Sequence, residues 1–481
     1  MSDSNSSAGL KKNSLGAFSI VILVLSAASP LIGLTGAVPP AMVLGGGLST
    51  PIAYTLVGAI LLLFSVGYVA MSRRVTNAGA LYAYIGRGLG LRWGVAGGTV
   101  ALYAYTAIQV AVYGFFGVVF SGQFASWTGI EIKWWVAAII LLVIIQIFGW
   151  LHIEIGARVL MVLMALEWGT MLLLSLVIGV RGGAGEGFAL SGVFDSKTIL
   201  GSAFIIAIVF GFASMFGFES SAIYGEEVRD PKKSVARATY ASVIGITAFF
   251  FITSWMLIVG YGPSKVLDAA GASLEAGNPA AFVFDAGTKY LGSWSADLMS
   301  IFVITSMFAC NLAFHNGISR YLYTLGRDGV LPASLGTTSG NGAPRRASVV
   351  QTISALIVII AFAITGSDPV LTLFFWGSGI AVIAILALYL GASISIVFFF
   401  KNHGSEGTNL WQRMIAPVLS IVALGVSIVL IIQKFEILTG GTHAFALGLA
   451  ATVLIAIVIG LVLYAVRAKH LSADAIKDLA S

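Results

Sequence analysis

The chain has 481 residues, of which 58% are hydrophobic and only 10% are charged. Soluble domains carry about 25% charged residues, so this composition excludes a water-soluble enzyme of this size. A single cysteine excludes a disulfide framework and a cysteine-based metal cluster. The five histidines show no ligand spacing. We therefore expect no metal and no cofactor.

The sequence contains twelve apolar stretches that approach or exceed the roughly 20 residues needed to cross a bilayer. None alternates with a period of two, and lipid admits only helices or closed barrels. The sequence thus predicts an all-α integral membrane protein with 12 transmembrane helices. The predicted spans are 15–40, 50–71, 92–121, 133–151, 155–180, 198–224, 237–260, 294–322, 346–366, 369–400, 412–433 and 442–466.

The distribution of basic residues predicts the orientation. If the spans alternate from a cytoplasmic N-terminus, 20 of the 26 Lys and Arg residues fall inside and six outside, as the positive-inside rule requires. Residues 1–14 and 467–481 are then cytoplasmic tails of a multi-pass protein of the cell membrane. The net charge of +6 reflects this topology, so we expect membrane lipid and no nucleic acid as a partner.

Predicted spans 1 and 6 contain residues that interrupt helices. Span 1 has Pro30 and Gly33, and span 6 has Gly211 and Gly217. Interrupted helices five spans apart indicate an inverted repeat with a binding site near the midplane. A broken helix offers N–H groups to a carboxylate and C=O groups to an ammonium group. The alternative is packing, because Gly and Pro are common in membrane helices.

Two acids lie inside predicted spans. A charge such as Glu167 at the bilayer centre costs about 2.5–3.5 kcal/mol on insertion scales, so its protonated form is favoured. Glu167 is therefore a candidate proton carrier, or else a neutral, hydrogen-bonded structural acid. Glu219, just past the span 6 break, could bind an ammonium group, gate the pathway or pair with a polar residue.

Two further spans carry polar faces. Tyr105, Gln109 and Tyr113 share one face of span 3 at spacings of four, where they line a substrate path or join helices. In span 8, Thr305 and Ser306 could form a sodium site with span 1 carbonyls, although paired hydroxyls also commonly join helices.

No enzyme is expected, because the sequence has no phosphate-binding loop, zinc-protease motif or nucleophile elbow. Without a nucleotide-binding loop, uphill transport must use an ion gradient or exchange. A channel or membrane sensor is the alternative from another class, although a channel usually needs repeated polar faces or an oligomer.

Three stretches resemble motifs of the amino acid–polyamine–organocation (APC) superfamily of permeases: residues 216–219 with 226–233, residues 77–84, and residues 319–332. The resemblance implies a LeuT-like fold, in which 15–180 and 198–400 form two inverted five-helix repeats followed by the two helices of 412–466. It also implies alternating access and a site between spans 1, 3, 6, 8 and 10. The implied cargo is an amino acid or a related amine.

By this resemblance, the span 1 break receives a carboxylate and the span 6 carbonyls receive the amine. The compact glycine-rich motif usual in span 1 is replaced here by Ala28, Ser29 and Pro30. The predicted substrate-binding residues are Ala28, Ser29, Pro30, Ile32, Gly33 and Leu34 in span 1, Tyr105 and Gln109 in span 3, Phe210, Phe212, Ser214, Phe216 and Glu219 in span 6, and Asn311 in span 8.

The leading hypothesis is a secondary active transporter that moves an amino acid in symport with protons through Glu167, with sodium as the other possible ion. The alternative is an amine or polyamine transporter or exchanger in which Glu219 neutralises the cation. The discriminating feature is whether Glu219 faces the cavity. The sequence does not distinguish a monomer from a homodimer.

Overall fold

A computed structural model describes residues 16–75, 77, 79–150, 153–340, 342–404 and 406–471. Over these residues the secondary structure is helical, without strands. The expected N-terminal tail, 1–14, and most of the expected C-terminal tail lie outside the described residues.

The first part of the chain is one long helical stretch with a break. It contains α1 (Ala17–Ala28), α2 (Pro30–Ile32), α3 (Val38–Ala41) and α4 (Thr50–Ser72), joined by π-helical turns at Gly33–Ala37 and Met42–Gly46 and a 3-10 turn at Gly47–Ser49. The connection expected over 41–49 contains a kink, where Gly45 (φ 175°, ψ −24°) and Gly47 (φ +50°, ψ −139°) leave the helical conformation.

Two long helices and several shorter ones follow. They are α5 (Leu81–Leu89), α6 (Leu91–Thr128), α7 (Trp134–Gly149), α8 (Ile153–Val180), α9 (Leu190–Val193) and α10 (Ser196–Ile199).

The next part holds the second break. It comprises α11 (Phe204–Ser214), a 3-10 helix at Phe218–Ala222, α12 (Pro231–Tyr261), α13 (Val266–Glu275), α14 (Ala281–Leu291) and α15 (Trp294–Arg327). Pro231 is the first residue of α12, where a missing N–H costs nothing.

The last part is again built from long helices. They are α16 (Arg345–Thr365), α17 (Phe375–Asn402) after a π-helical turn at Pro369–Phe374, α18 (Ala416–Gln433) after another at Trp411–Ile415, α19 (Phe435–Thr439) and α20 (His443–Arg467); 3-10 turns occupy Ala333–Gly336 and Ala468–His470.

Ten helices in the described part of the chain are long and apolar enough to cross a membrane. One of them, Ser19–Ser72, has 54 residues, more than twice the length that one crossing needs, and it is interrupted at Ser29 and kinked at Gly45. The Trp134–Gly149 helix is apolar but shorter. The prediction of an all-helical membrane protein is confirmed.

The bundle has an inner and an outer set of helices. Helices α6, α11 and α15 are mostly buried, whereas α16, α18 and α20 expose apolar side chains such as Ile357, Val422 and Leu454. Exposed aliphatic faces suit contact with lipid tails. The inner helices therefore carry the candidate site, and α1 reaches it by packing against α8, α12 and α15.

Candidate functional site

The first helix breaks at Ser29. This residue has φ +37° and ψ +70°, the left-handed conformation, and Pro30 begins the next helical segment. Its N–H still bonds the Leu25 carbonyl at 2.8 Å, while its Oγ donates to the Ser306 carbonyl at 3.2 Å. The break is therefore held by α15.

The second break follows α11. Helix α11 ends at Ser214, and Gly217 has φ +103°, a conformation that glycine adopts without strain. A Cβ at Gly217 would lie 2.9 Å from the Ala27 Cβ and 3.1 Å from the Ala27 carbonyl carbon. The glycine thus lets the second break pack directly against the end of α1.

A second glycine brings the two broken helices together. A Cβ at Gly33 would lie 2.5 Å from the Phe250 ring and 2.8 Å from the Ser214 Cβ. The Ser214 hydroxyl donates to the Phe210 carbonyl at 2.7 Å and lies 3.3 Å from the Tyr54 hydroxyl. Backbone of the first broken helix therefore contacts the last turn of α11.

A small cavity of about 30 Å³ lies where the breaks meet. That volume is enough for water. None of the described residues that line it is charged, and the only side-chain hydroxyls are those of Ser214 and Ser378. The lining consists of Ala27, Ala28, Ile32, Gly33, Ala37, Ile108, Val112, Ala213, Ser214, Phe216, Cys310, Phe314, Phe374 and Ser378.

Five of the predicted substrate-binding residues lie in this lining: Ala28, Ile32, Gly33, Ser214 and Phe216. The other predicted residues are buried close by in the same helices but do not line the cavity. They are Ser29, Pro30 and Leu34 of the first broken helix, Phe210 and Phe212 of α11, Tyr105 and Gln109 of α6, Glu219, and Asn311.

Glu219 lies in the 3-10 helix after the second break and is 1% exposed. Its carboxylate accepts hydrogen bonds from the Tyr105 hydroxyl, from the Tyr389 hydroxyl at 2.6 Å and from the Gly217 N–H at 3.1 Å. The Tyr68 hydroxyl donates to its main-chain carbonyl. Three helices, α4, α6 and α17, are thereby tied to the segment after the break.

An aromatic layer separates Glu219 from the cavity. The Phe216 ring, which lines the cavity, lies edge-on to Tyr105 with centroids 5.4 Å apart and edge-on to Phe314 at 5.7 Å. Tyr105 also packs against Tyr321 at 5.6 Å. Among the three span 6 aromatics considered from the sequence, Phe216 is the one between cavity and carboxylate.

Gln109 belongs to a buried amide network. Its Nε2 donates to the main-chain carbonyl of Asn311 at 3.1 Å, and its Oε1 accepts from the Gln351 amide. This network joins α6, α15 and α16. The sequence left open whether the polar face of span 3 lines the path or joins helices; at Gln109 it joins helices.

Glu167 on α8 is as buried as Glu219, at 1% exposure. Its Oε2 has no hydrogen-bond partner among the described residues. Ser306 and Cys310 of α15 are its neighbours, and the Cys310 thiol donates to the Ala27 carbonyl at 3.3 Å. A carboxyl group therefore lies beside the end of α1 with one oxygen available.

Two ion pairs, one buried and one half-buried, close the end of the bundle beyond Glu219. Arg320 of α15 donates to Glu227 at 2.6 Å and lies over the Tyr224 ring at 4.8 Å. Arg327 pairs with Glu226 at 3.3 Å. The acidic run after span 6 is thus clamped to α15.

Several cavity residues were absent from the sequence prediction. Ile108 and Val112 lie three and seven residues after Tyr105, so the helical period of span 3 places them on its face. Phe374 and Ser378 come from the start of span 10. The resemblance implicated that span, but no local motif distinguished these two residues.

No group of three His, Cys, Asp or Glu side chains that could hold a metal ion occurs in the part of the chain that the structure describes.

Comparisons with known proteins agree with this architecture. Residues 19–473 match the amino acid permease family. The cadaverine/lysine antiporter of Escherichia coli is 26% identical over 238 residues, 47% of this chain and 48% of that protein. The low-affinity putrescine importer PlaP of Escherichia coli is 24% identical over 292 residues, which are 59% of this chain and 60% of that protein.

A lysine-specific permease of Saccharomyces cerevisiae is 27% identical over 228 residues, 46% of this chain and 36% of that protein. The chain spans about half the length of the first two of these relatives. A match over 19–473 covers nearly all of the sequence, and members of the matched family are transporters rather than enzymes. The chain therefore belongs to the amino acid permease family, within the APC superfamily.

Proposed function

We propose that this protein is a secondary active transporter that moves a zwitterionic amino acid across the cell membrane by alternating access, in symport with protons bound at Glu167. The observation that carries the proposal is the meeting of two broken helices at an uncharged cavity, with an available carboxyl oxygen behind the first break.

The cavity chemistry favours a zwitterion. A half-helix start attracts a carboxylate and a half-helix end attracts an ammonium group, so main-chain groups alone neutralise both. The remaining wall, with Ile32, Ile108 and Val112, suits an apolar side chain. A dication would need a carboxylate in the wall, and Glu219 lies behind Phe216 with its carboxylate already hydrogen-bonded.

The same proposal assigns the topology. The 54-residue helical stretch crosses the membrane twice, and α7 crosses although it has only 16 residues. Twelve crossings result, with α1 to α8 and α11 to α17 as inverted repeats and both termini in the cytoplasm. The basic residues favour this orientation.

Proton binding at Glu167 would be coupled to transport through the contacts of this residue near the end of α1. Protonated Glu167 is a hydrogen-bond donor and deprotonated Glu167 is only an acceptor, so its contacts with α15 and the end of α1 change with its charge. Sodium is the alternative, because the same place offers the Ser306 hydroxyl and the Ala27 carbonyl. Oxygen ligands of this kind suit a hard cation.

Opening toward the cytoplasm would require separation of Glu219 from Tyr105 and Tyr389. These bonds tie the segment after the second break to α6 and α17, and Phe216 moves with that segment. The Arg320–Glu227 pair, on the cytoplasmic side of Glu219 in the proposed orientation, stabilises the state in which the cytoplasmic path is closed.

A second candidate function is lysine or diamine exchange. It is favoured by the relatives, two of which carry cadaverine with lysine or putrescine by name. In that case rotation of Phe216 would expose Glu219 to the cavity, and its carboxylate would receive the second ammonium group.

The two candidate functions can be distinguished by thermal unfolding. The Tm of the purified protein is measured with each proteinogenic amino acid, with cadaverine and with putrescine. A ligand at 100 times its dissociation constant stabilises by about 2.7 kcal/mol. Stabilisation by neutral amino acids and not by diamines supports the proposal. Stabilisation by diamines alone overturns it in favour of exchange, and Glu219→Gln should then remove the effect.

A further inference from the structure

One hydroxyl in the lining of the cavity at the helix breaks is not used by the protein itself. Ser378 of α17 lines this cavity and is 4% exposed. Its Oγ is buried and has no hydrogen-bond partner in the described part of the chain. A buried hydroxyl without a partner costs free energy, and a serine inside a helix often avoids that cost by bonding the carbonyl four residues earlier. Ser378 therefore keeps a donor and an acceptor that a ligand can use.

The other hydroxyl and thiol groups of the lining are already engaged. The Ser214 hydroxyl donates to the Phe210 carbonyl at 2.7 Å. The Cys310 thiol donates to the Ala27 carbonyl at 3.3 Å. The remaining described side chains of the lining are apolar. A ligand that needs a hydrogen bond from a free side chain of this lining therefore finds it at Ser378.

Two glycines fix the position of Ser378. A Cβ at Gly377 would lie 2.9 Å from the Ala107 carbonyl oxygen, and a Cβ at Gly379 would lie 2.6 Å from the Phe435 ring. Neither place has room for a side chain, so α17 packs closely against α6 before Ser378 and against α19 after it. A hydroxyl on a helix that is held in this way is placed more precisely than one on a loop.

Ser378 lies on a part of the lining that the helix breaks do not supply. The close contact of Gly377 with Ala107 brings the next residue of each helix, Ser378 and Ile108, to adjoining places, and both line the cavity. In the proposed function, the breaks bind the carboxylate and the ammonium group of the substrate. The wall between α6 and α17 is then the wall that the substrate's side chain contacts.

We infer that Ser378 selects the substrate by its side chain, and that the preferred cargo is a β-hydroxy amino acid, threonine or serine. The methyl group of threonine suits Ile108 and Val112, while its hydroxyl can donate to Ser378 or accept from it. A site with a free hydrogen-bonding group discriminates against an analogue that lacks the matching group, because its own group then stays unpaired. This selection rests on the proposed function, because the breaks must hold the zwitterion.

The test measures the dissociation constants of threonine, valine, serine and alanine for the purified full-length protein by thermal unfolding. Threonine and valine have nearly the same shape and differ by a hydroxyl in place of a methyl group. Threonine should bind about tenfold more tightly than valine, as expected for one hydrogen bond to an otherwise unpaired buried group. Serine should likewise bind more tightly than alanine.

The wild-type protein alone can overturn this inference. Equal dissociation constants for threonine and valine contradict selection by Ser378 and leave the proposed function standing. Binding of other neutral amino acids, but of neither threonine nor serine, does the same. Binding of diamines with no binding of any neutral amino acid is the failure of the proposed function itself, and selection by Ser378 fails with it.

Ser378→Ala should abolish the preference for threonine over valine and leave the dissociation constant of valine unchanged. Ser393→Ala is the matched control, because this serine lies further along α17, is equally buried and faces the Ser420 hydroxyl at 3.2 Å instead of lining the cavity. The control should keep the tenfold preference. Loss of the preference in both variants would make it a property of α17 as a whole and contradict the role of Ser378.

The same variant shows which part of the substrate the hydroxyl contacts. A weaker binding of threonine alone supports contact with the side chain. An equal weakening of threonine and valine would mean that Ser378 binds the carboxylate or the ammonium group, which all amino acids share. That result would overturn selection by the side chain while it keeps Ser378 in the binding site.

Discussion

Glu167 and Glu219 are two equally buried acids with opposite surroundings. Each is 1% exposed, and each lies beside one of the two helix breaks. Glu219 has three donors on its carboxylate, from Tyr105, Tyr389 and the Gly217 N–H. Glu167 has an oxygen with no partner among the described residues.

This difference separates two tasks that buried acids perform. Donors that already point at a carboxylate stabilise its charged form and resist any change of protonation. An oxygen without a donor gains from carrying a proton, because a buried charge without partners is costly. On this basis we propose that Glu167 binds the proton and that Glu219 closes the pathway mechanically.

The largest expected effect comes from Glu167→Gln, which fixes the side chain in a neutral form of the same shape. Uptake driven by a pH gradient in proteoliposomes should fall to the level of protein-free vesicles. Substrate binding, measured by thermal shift, should remain, because Glu167 does not line the cavity.

Glu186→Gln is the matched control for that experiment. Glu186 is exposed, and the hydroxyl and then the N–H of Ser264 hold the pKa of its carboxyl below its ordinary value. It therefore stays charged across the tested range, and its loss should leave uptake unchanged. Normal pH-driven uptake by Glu167→Gln would remove Glu167 from coupling.

The next largest effect is expected from Glu219→Gln. One oxygen becomes an amide N–H₂ that faces a donor, so one hydrogen bond to a charged acceptor is lost, worth about 1.5–3 kcal/mol. Turnover should change by roughly 10–100-fold, while accumulation still follows the pH gradient. Abolished coupling with normal exchange would reverse the assignment of the two acids.

Both acids were identifiable from sequence, because a carboxyl group within an apolar span stands out by composition alone. The residues that contact these acids were not identifiable from sequence. Tyr389 lies 170 residues from Glu219 and Ser306 lies 139 from Glu167, and no local pattern announces pairings at that distance. The sequence therefore predicted proton coupling at Glu167 and left three roles open for Glu219, but it could not reveal the partners of either acid.

For the helix breaks as well, the sequence predicted where they lie but not which residues form them. Pro30 and Gly217 predicted interruptions because one lacks a donor and the other tolerates positive φ. The left-handed residue of the first break is Ser29, however, while Gly33 allows the close approach of Ser214. Hydropathy predicted the helices and the connection over 41–49, but it could not reveal that this connection is made of π and 3-10 turns with a kink at Gly45.

A smaller effect is expected from Tyr389→Phe, which removes one donor from Glu219 and keeps the ring that stacks on Phe64 at 4.5 Å. A single hydrogen bond contributes about 0.5–1.5 kcal/mol net, so turnover should change by roughly tenfold at most. Tyr464→Phe on α20 is the control. An effect as large as that of Glu219→Gln would mean that Tyr389, not the acid, organises the closure.

The smallest effect, and the most selective, is expected from Ser306→Ala. The change leaves Glu167 in place and removes the hydroxyl beside it, whereas the Ser306 carbonyl that accepts from Ser29 is kept. A hydroxyl helps the charged carboxylate, so its loss should move the midpoint of proton-driven uptake to higher pH by a fraction of a unit, with little change in maximal rate. Ser300→Ala, two turns earlier on α15, should leave the midpoint unchanged.

If instead sodium restores uptake by wild type and not by Ser306→Ala, the hydroxyl is a cation ligand, and Glu167 serves an ion site rather than a proton.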